Sequence, residues 1–236
     1  MKPRVVVIGQ GNVAWHLLRA LEPVAEVRHI SSRQLHQLPT DAHYYILAVS
    51  DDAIAQLAAT TPDVGVWAHT SGSIPLSALS QHKTSCGVFY PLQTLTKDVP
   101  VDWSHLPIFI EGTSASVSKQ LQTLARSISD NVHQADSSQR RQLHIAAVMA
   151  CNFANHLWDI SDQLLRPLGV DFTAMVPLVQ AMLSKATLIG PHDAQTGPAR
   201  RGDTNVIQSH IESLPPDLAQ IYSILSQHII KEYEQD

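Results

Sequence analysis

Residues Val5-Val6-Val7-Ile8 run without a break into Gly9-Gln10-Gly11-Asn12-Val13-Ala14, and this junction constrains the chain more than any other feature of it. Four β-branched apolar residues in a row suit a strand buried on both faces. An amphipathic pattern over residues 13–21 suits a helix. In a G-x-G-x-x-A turn the first glycine allows the tight backbone and the second lets a pyrophosphate approach the main chain. The small third residue lets helix and strand pack closely. A helix beginning near Asn12 then aims unpaired N–H groups and its positive dipole end at phosphates. Glycine-spaced turns also join strands to helices in unrelated α/β domains. Here a second strand-like segment, residues 24–30, completes a βαβ unit. Motif and context therefore agree on a dinucleotide site at Gly9, Gln10, Gly11, Asn12 and Val13.

The second strand ends in Ser31-Ser32-Arg33. An NAD-specific site carries Asp or Glu there, accepting hydrogen bonds from the ribose 2′-hydroxyl. Two hydroxyls and a guanidinium instead suit the 2′-phosphate of NADP.

Further apolar strands follow, with polar residues at their carboxyl ends, where open parallel sheets bind ligands. Residues 44–49 end in Ser50-Asp51-Asp52, and residues 64–69 run into Thr70-Ser71-Gly72-Ser73. Val49, Ser50, Asp51, His69, Thr70 and Ser71 are accordingly candidate cofactor contacts. Asp51 or Asp52 can equally cap a helix over 53–59, Ser73 can cap one starting near Ile74, and His69 can be a satisfied core residue. Strands over 86–90, 107–112 and 131–134 and a helix over 117–128 continue the alternation. The fold class expected is α/β, a doubly wound, mostly parallel Rossmann-like sheet over residues 1–135. From Ser137 the pattern changes to long helices, the first running to about Leu165, then 175–189, 204–214 and 216–233. An all-helical domain over 136–236 is expected, with the boundary near Asp136.

Composition removes several classes. The 236 residues are 44% hydrophobic with a net charge of −5 and no block of like charge, which speaks against disorder, nucleic-acid partners and an electrostatic membrane anchor. Cys86 and Cys151 lie far apart, without the spacing that metal or redox motifs use, so no metal and reduced cytosolic thiols are expected. No signal sequence precedes the first strand, and no apolar run approaches the ~18 residues of a membrane span. A soluble, cytoplasmic protein is expected, with no membrane association.

On the long helix His144, Asn152, Asn155 and Asp159 fall within about an 80° arc, with His156 about 40° further round. Residues 143–165 contain no Lys, Arg or Glu, the residues that exposed helical faces favour. Asn and His are poor helix formers that offer directed hydrogen bonds, which suits the wall of a polar cleft. His144 and His156 are candidate general acid/base groups, and Asn152 and Asn155 candidate positioners of a small-molecule substrate. Arg200-Arg201, between glycines, can clamp an anion or sit in a solvated loop.

These pieces together resemble a known family along nearly the whole chain. They are Gly9 to Ala14, Leu47-Ala48-Val49-Ser50-Asp51-Asp52, His69-Thr70-Ser71-Gly72-Ser73 and Tyr90-Pro91-Leu92-Gln93-Thr94. To these add Leu143-His144, Cys151-Asn152-Phe153-Ala154-Asn155-His156 and Gln195-Thr196-Gly197-Pro198. The pattern is similar to bacterial proteins that join a Rossmann-like domain to a DUF2520 domain, a family carrying a provisional NADP oxidoreductase label. Its plan resembles that of pyrroline-5-carboxylate reductase and the β-hydroxyacid dehydrogenases. The resemblance implies an active site in an interdomain cleft and a homodimer formed through the helical domain. One departure matters. The β-hydroxyacid dehydrogenases use a helical lysine four residues before an asparagine, and here the position four before Asn152 holds Val148. Their mechanism therefore does not carry over.

Two functions fit: an NADP-dependent oxidoreductase acting on a small C=O or C=N compound, or a non-catalytic NADP-binding sensor or partner protein. Polar residues crowding the wall favour the first. A well-placed Arg33 contact to the 2′-phosphate is worth about 1.5–3 kcal/mol, roughly tenfold to a hundredfold in affinity. Calorimetry is expected to show NADP(H) binding at least about tenfold more tightly than NAD(H), and Arg33→Ala removing most of the difference; equal affinities in the unmutated protein would refute the assignment.

Overall fold

The computed structural model describes residues 2–233; Met1 and residues 234–236, at the ends of the two expected domains, lie outside them. Seven strands form one sheet in the order β2-β1-β3-β4-β5-β6-β7. They are β1 (Arg4–Ile8), β2 (Glu26–Ile30), β3 (Tyr44–Leu47), β4 (Val66–His69), β5 (Cys86–Pro91), β6 (Ile108–Gly112) and β7 (Val132–Gln134). Strands β1 to β5 run parallel, β6 pairs antiparallel with β5, and β7 runs parallel to β6. The mostly parallel, doubly wound sheet expected from the alternation is present, and among the described residues no strand follows Gln134.

Strand parity divides the core in two. Val5 and Val7 point to one face with Ile46, Ala68, Phe89 and Ile108, covered by α1 (Asn12–Leu21) and α4 (Ala115–Arg126). Val6 and Ile8 point to the other with Tyr45, Leu47 and Trp67, covered by α2 (Asp51–Thr60) and α3 (Ser77–Ser80). Burial on both faces explains why the central strands read as continuous apolar runs instead of alternating ones. The chain leaves β1 toward β2 on one side and returns to β3 on the other. The carboxyl ends of β1 and β3 thus flank the point where strand order reverses, the usual crevice for a ligand.

Two helix starts differ from expectation. α2 begins at Asp51, so Asp51 and Asp52 lie in its first turn, where they favour its dipole, and Ser50 holds the cap position without a side-chain bond. Ser73 caps nothing. Instead the Ser71 hydroxyl accepts from the amides of Ser73 (3.1 Å) and Ile74 (3.0 Å), folding the loop back so that α3 starts only at Ser77.

The long helix also departs from the expected continuous run. It opens as α5 (Ser137–Ala147) on a capping box between Asp136 and Gln139, widens into a π segment over Val148–Phe153, and resumes as α6 (Ala154–Leu165). Contacts divide the chain into compact units after Leu157, so the first unit holds α5 and the π segment as well as the sheet. Arg140 is what attaches them. Its side chain is 1% exposed and its Nη1 donates to the Glu111 carboxylate on β6. Its Nε donates to the Ser71 carbonyl (3.2 Å) and its Nη2 to the Ile74 carbonyl (2.6 Å). Ser137 completes the network, donating to Glu111 (2.9 Å) while accepting from the Leu76 amide (3.0 Å).

The second unit contains α7 (Val176–Ile189), α8 (Thr204–Ser213) and α9 (Pro216–Tyr233). Asp203 caps α8, and His210 Nδ1 meets the Tyr222 hydroxyl at 2.8 Å between α8 and α9. The Arg200 guanidinium lies over the Tyr233 ring, 4.3 Å from its centroid. One expectation is overturned here. Phe172–Ile189, 18 residues of mean hydropathy 1.4, is long and apolar enough by composition to cross a membrane. A short 3₁₀ turn leads into α7 and extends the apolar run beyond the helix visible from periodicity. The stretch carries Lys185 near its end and exposes Leu178, Leu183 and Leu188.

Removing one partner of a buried ion pair leaves the other charge uncompensated, at a typical cost of about 3–5 kcal/mol. Urea denaturation is expected to show a loss of this order for Arg140→Met, with part of it restored in the double variant Arg140→Met/Glu111→Leu; a loss below about 1 kcal/mol would remove Arg140 from its structural role.

Candidate functional site

A cavity of about 810 Å³ opens at the carboxyl ends of the parallel strands, and its lining belongs wholly to the first unit. The glycine turn forms part of it. Gly9 has φ of 135°, and a Cβ there would stand 2.0 Å from the Ala48 carbonyl oxygen, so the approach of β3 makes glycine compulsory. The Gly9 amide donates to the Ile30 carbonyl (3.0 Å), and its carbonyl accepts from His29 Nε2 on β2 (2.6 Å). Gly11 is different, because a Cβ at that position meets no atom within 4 Å. It holds the cap position of α1 without a side-chain bond, and the first turn carries no acidic residue. The amides that open α1 thus have no side chain to satisfy them.

Gln10, Asn12 and Val13 line the cavity with the two glycines, and Ser32 and Arg33 line it from the end of β2. Ser31 is buried and does not. Its hydroxyl accepts from the Arg33 amide (3.3 Å) and shapes the turn that presents its neighbours. Arg33 has no ion-pair partner among the described residues. Val49, Ser50 and Thr70 line the wall formed by the ends of β3 and β4, whereas Asp51 and Ser71 fall outside it.

The segment after β5, residues 92–96, closes another side. Two contacts tie it to α1: His16 Nε2 to the Thr96 carbonyl (2.8 Å), and the Lys97 amide to Asn12 Oδ1 (3.4 Å). Opposite the glycine turn in sequence, α5 and the π segment contribute His144, Ala147, Cys151 and Asn152. Asn155 and His156 are exposed and do not line the cavity. The π segment accounts for Asn155, because its wider turns delay the helical phase by roughly one residue, about 100°, and so take that position out of the arc expected for a regular α-helix.

Two residues acquire roles that periodicity did not reveal. Tyr90, near the end of β5, places its hydroxyl 3.1 Å from His144 Nδ1. A Cβ on Gly72 would stand 2.8 Å from Tyr90 Cζ and 2.9 Å from His144 Nδ1, so the glycine leaves the room in which the two rings meet. Burial pushes the Tyr90 phenol up, with the Arg140 charge opposing. Tyr90 stands where polar groups at strand ends gather, but an apolar strand with a terminal tyrosine does not by itself announce a partner 54 residues away.

His69, a candidate cofactor contact, is 0% exposed and absent from the cavity wall. Its Nδ1 accepts from the Ser71 amide (3.2 Å), and its Nε2 has no hydrogen-bond partner among the described residues. Burial first, and then the nearby Arg140 charge, push its pKa down to about 3, against a weaker upward pull from the Pro75 carbonyl. Among the described residues no three His, Cys, Asp or Glu side chains are grouped so as to hold a metal ion.

The sheet, the glycine turn and the trailing helices define a Rossmann-like domain followed by a helical region. The family model described as a domain of unknown function, DUF2520, matches residues 106–229, and the chain belongs to that family. BF3122 from Bacteroides fragilis, provisionally named an NADP oxidoreductase, is 34% identical over 98% of both chains, with a TM-score of 0.88. TM1727 from Thermotoga maritima is 18% identical over 98% of this chain and 97% of its own, with a TM-score of 0.69. A reductive aminase from Aspergillus terreus, solved with NADPH and ethyl levulinate, shares the fold at 13% identity, covering 98% and 95% with a TM-score of 0.70. No curated protein matches the chain.

The low pKa of His69 has a sign that can be tested. The unfolded imidazole takes its proton near pH 6.5 and the native one only near pH 3. Stability from burying it neutral is therefore complete above pH 6.5 and is lost as pH falls from there toward 3. Urea midpoints measured between about pH 6 and pH 4 are expected to show His69→Gln flattening the pH slope by about one proton, ~1.4 kcal/mol per pH unit; an unchanged slope would contradict the assignment.

Proposed function

We propose that the protein is an NADP-dependent oxidoreductase acting on a small molecule at a C=O or C=N bond. The observation that carries this reading is that one cavity is lined both by the glycine turn with Arg33 and by the polar group Tyr90, Gln93, Thr94, His144 and Asn152. A protein that only sensed the cofactor would have no need of a hydrogen-bonding wall there. The residues fit the cofactor. Among the described residues no atom comes within 4 Å of a Cβ built on Gly11, and the uncapped amides of α1 suit a pyrophosphate. Ser32 and Arg33 supply donors for a 2′-phosphate, with no carboxylate among the cavity-lining residues to repel it. The likeness to BF3122 supports the cofactor, as does the NADPH held by the reductive aminase of the same fold.

A bound nicotinamide supplies or accepts hydride at carbon. The work left to this chain is to hold the substrate and to manage a proton at the heteroatom. Asn152 orients that heteroatom through its amide, and His144 is the titratable group beside it. We assign the protein to the cytoplasm as a homodimer formed through its helical region. The exposed apolar side chains of α7, Leu188 at 84% among them, support an assembly that covers them.

Gly11→Ala separates the cofactor from the scaffold. The backbone at Gly11, φ −77°, accommodates alanine, and no atom of the protein stands in the way. The variant is expected to melt at the temperature of the unmutated protein while binding NADPH more than about tenfold more weakly by calorimetry. Asn152→Ala is expected to keep NADPH affinity within about tenfold. Tight NADPH binding by Gly11→Ala would overturn the proposed cofactor position.

A further inference from the structure

The Tyr90 hydroxyl and His144 Nδ1 meet at 3.1 Å, and each side chain also borders the cavity. Their partnership is built into the scaffold from three sides. β5 fixes Tyr90 in a fully buried strand, the Arg140 network fixes the first two turns of α5, and Gly72 leaves the gap in which the rings approach. The rings stand edge to face, 73° apart with centroids 6.2 Å from each other, so the phenol lies in line for a directed bond to the imidazole nitrogen and does not stack on it. Among the described residues Tyr90 has one other aromatic neighbour, Phe109. That ring offers no polar atom.

We propose that Tyr90 is a positioning residue that fixes His144 as the Nε2–H tautomer, making Nε2–H the proton donor to the substrate heteroatom, with the Tyr90 hydroxyl as its proton reserve. This deepens the oxidoreductase reading and rests on it. Burial keeps the phenol protonated, so it has a hydrogen to donate, and in the proposed pairing that hydrogen goes to Nδ1, which then carries none. In a neutral imidazole the remaining hydrogen must sit on Nε2. In the reduction, hydride from the reduced nicotinamide forms the new C–H bond, the π pair of C=O or C=N stays on the heteroatom, and that atom takes the Nε2 proton. The imidazole regains a proton at Nδ1 as Tyr90 O–H breaks. The phenolate so formed is favoured by the nearby Arg140 charge; Nε2 then takes a proton from water and Nδ1 returns its proton to the phenolate, which restores the starting tautomer. Oxidation reverses each transfer. A carbonyl or imine substrate therefore needs no cation of its own to be activated here.

The test uses the full-length protein and does not depend on knowing the substrate. Long-range ¹⁵N–¹H correlation spectra at neutral pH are expected to show His144 as the Nε2–H tautomer, with Nδ1 unprotonated. Tyr90→Phe keeps the ring and removes the donor, and is expected to shift His144 to a mixture of tautomers. His144→Asn identifies the signals. An Nδ1–H tautomer in the unmutated protein, or a tautomer unchanged by Tyr90→Phe, overturns the pairing. NADPH calorimetry on the same samples separates the two readings. NADPH binding without the tautomer pattern sinks the pairing alone, whereas absence of NADPH binding sinks the oxidoreductase reading and, with it, the catalytic use of the pair.

Discussion

The buried guanidinium of Arg140 is the interaction on which the arrangement of the site depends. It reaches the carboxylate of Glu111 on β6 and the carbonyls of Ser71 and Ile74 in the loop after β4, so one side chain joins the sheet, that loop and α5. A guanidinium presents five donors in a fixed plane, which lets it bridge three segments where an ammonium on a flexible stem would hold fewer. Four residues further along α5 stands His144. Its distance from Tyr90 is set by how firmly α5 is held to the sheet, and the same charge bears on both Tyr90 and the buried His69. Such ion pairs seldom add net stability over an apolar filling of the same shape. Their effect here is to specify one position for the helix.

The sheet and the glycine turn were legible in the sequence because their signals are local. A run of β-branched residues, a turn that requires positive φ at Gly9 and polar residues at strand tips each act within a few positions, and the strands at 44–47, 66–69 and 86–91 appear where the apolar runs lie. The helical phase was not legible. Projection at a constant angle assumes one hydrogen-bond pattern throughout, and the π segment over Val148–Phe153 breaks that assumption in the middle of the stripe. His144 and Asn152 lie before its end and line the cavity; Asn155 and His156 lie beyond it and do not. Nothing in Val148-Met149-Ala150-Cys151-Asn152-Phe153 marks a π turn by composition.

Long-range polar pairs were the other gap. Tyr90 and His144, or Arg140 and Glu111, are joined only by folding, and hydrophobic periodicity carries no information about them. A buried arginine also looks like surface to any reading based on charge, and nothing local to Arg140 in the sequence marks its burial. His69 was open in two directions from its place at a strand tip, ligand contact or core residue, and the loop that folds over it through Ser71 encloses it in the core.

The reversal of β6 has a consequence for the electric field around the cavity. Because β6 and β7 run against the other strands, α5 starts near the level of Glu111, which pairs with Val88 inside the sheet, and then travels past the strand tips. The cavity is therefore met by the mouth of α1 but by the flank of α5. A helix mouth concentrates positive potential, whereas the peptide dipoles along a helix flank largely cancel. One wall of the cavity is thus polarised by the backbone itself and the other is electrically quiet, so that whatever charge develops on the quiet side is answered by side chains alone.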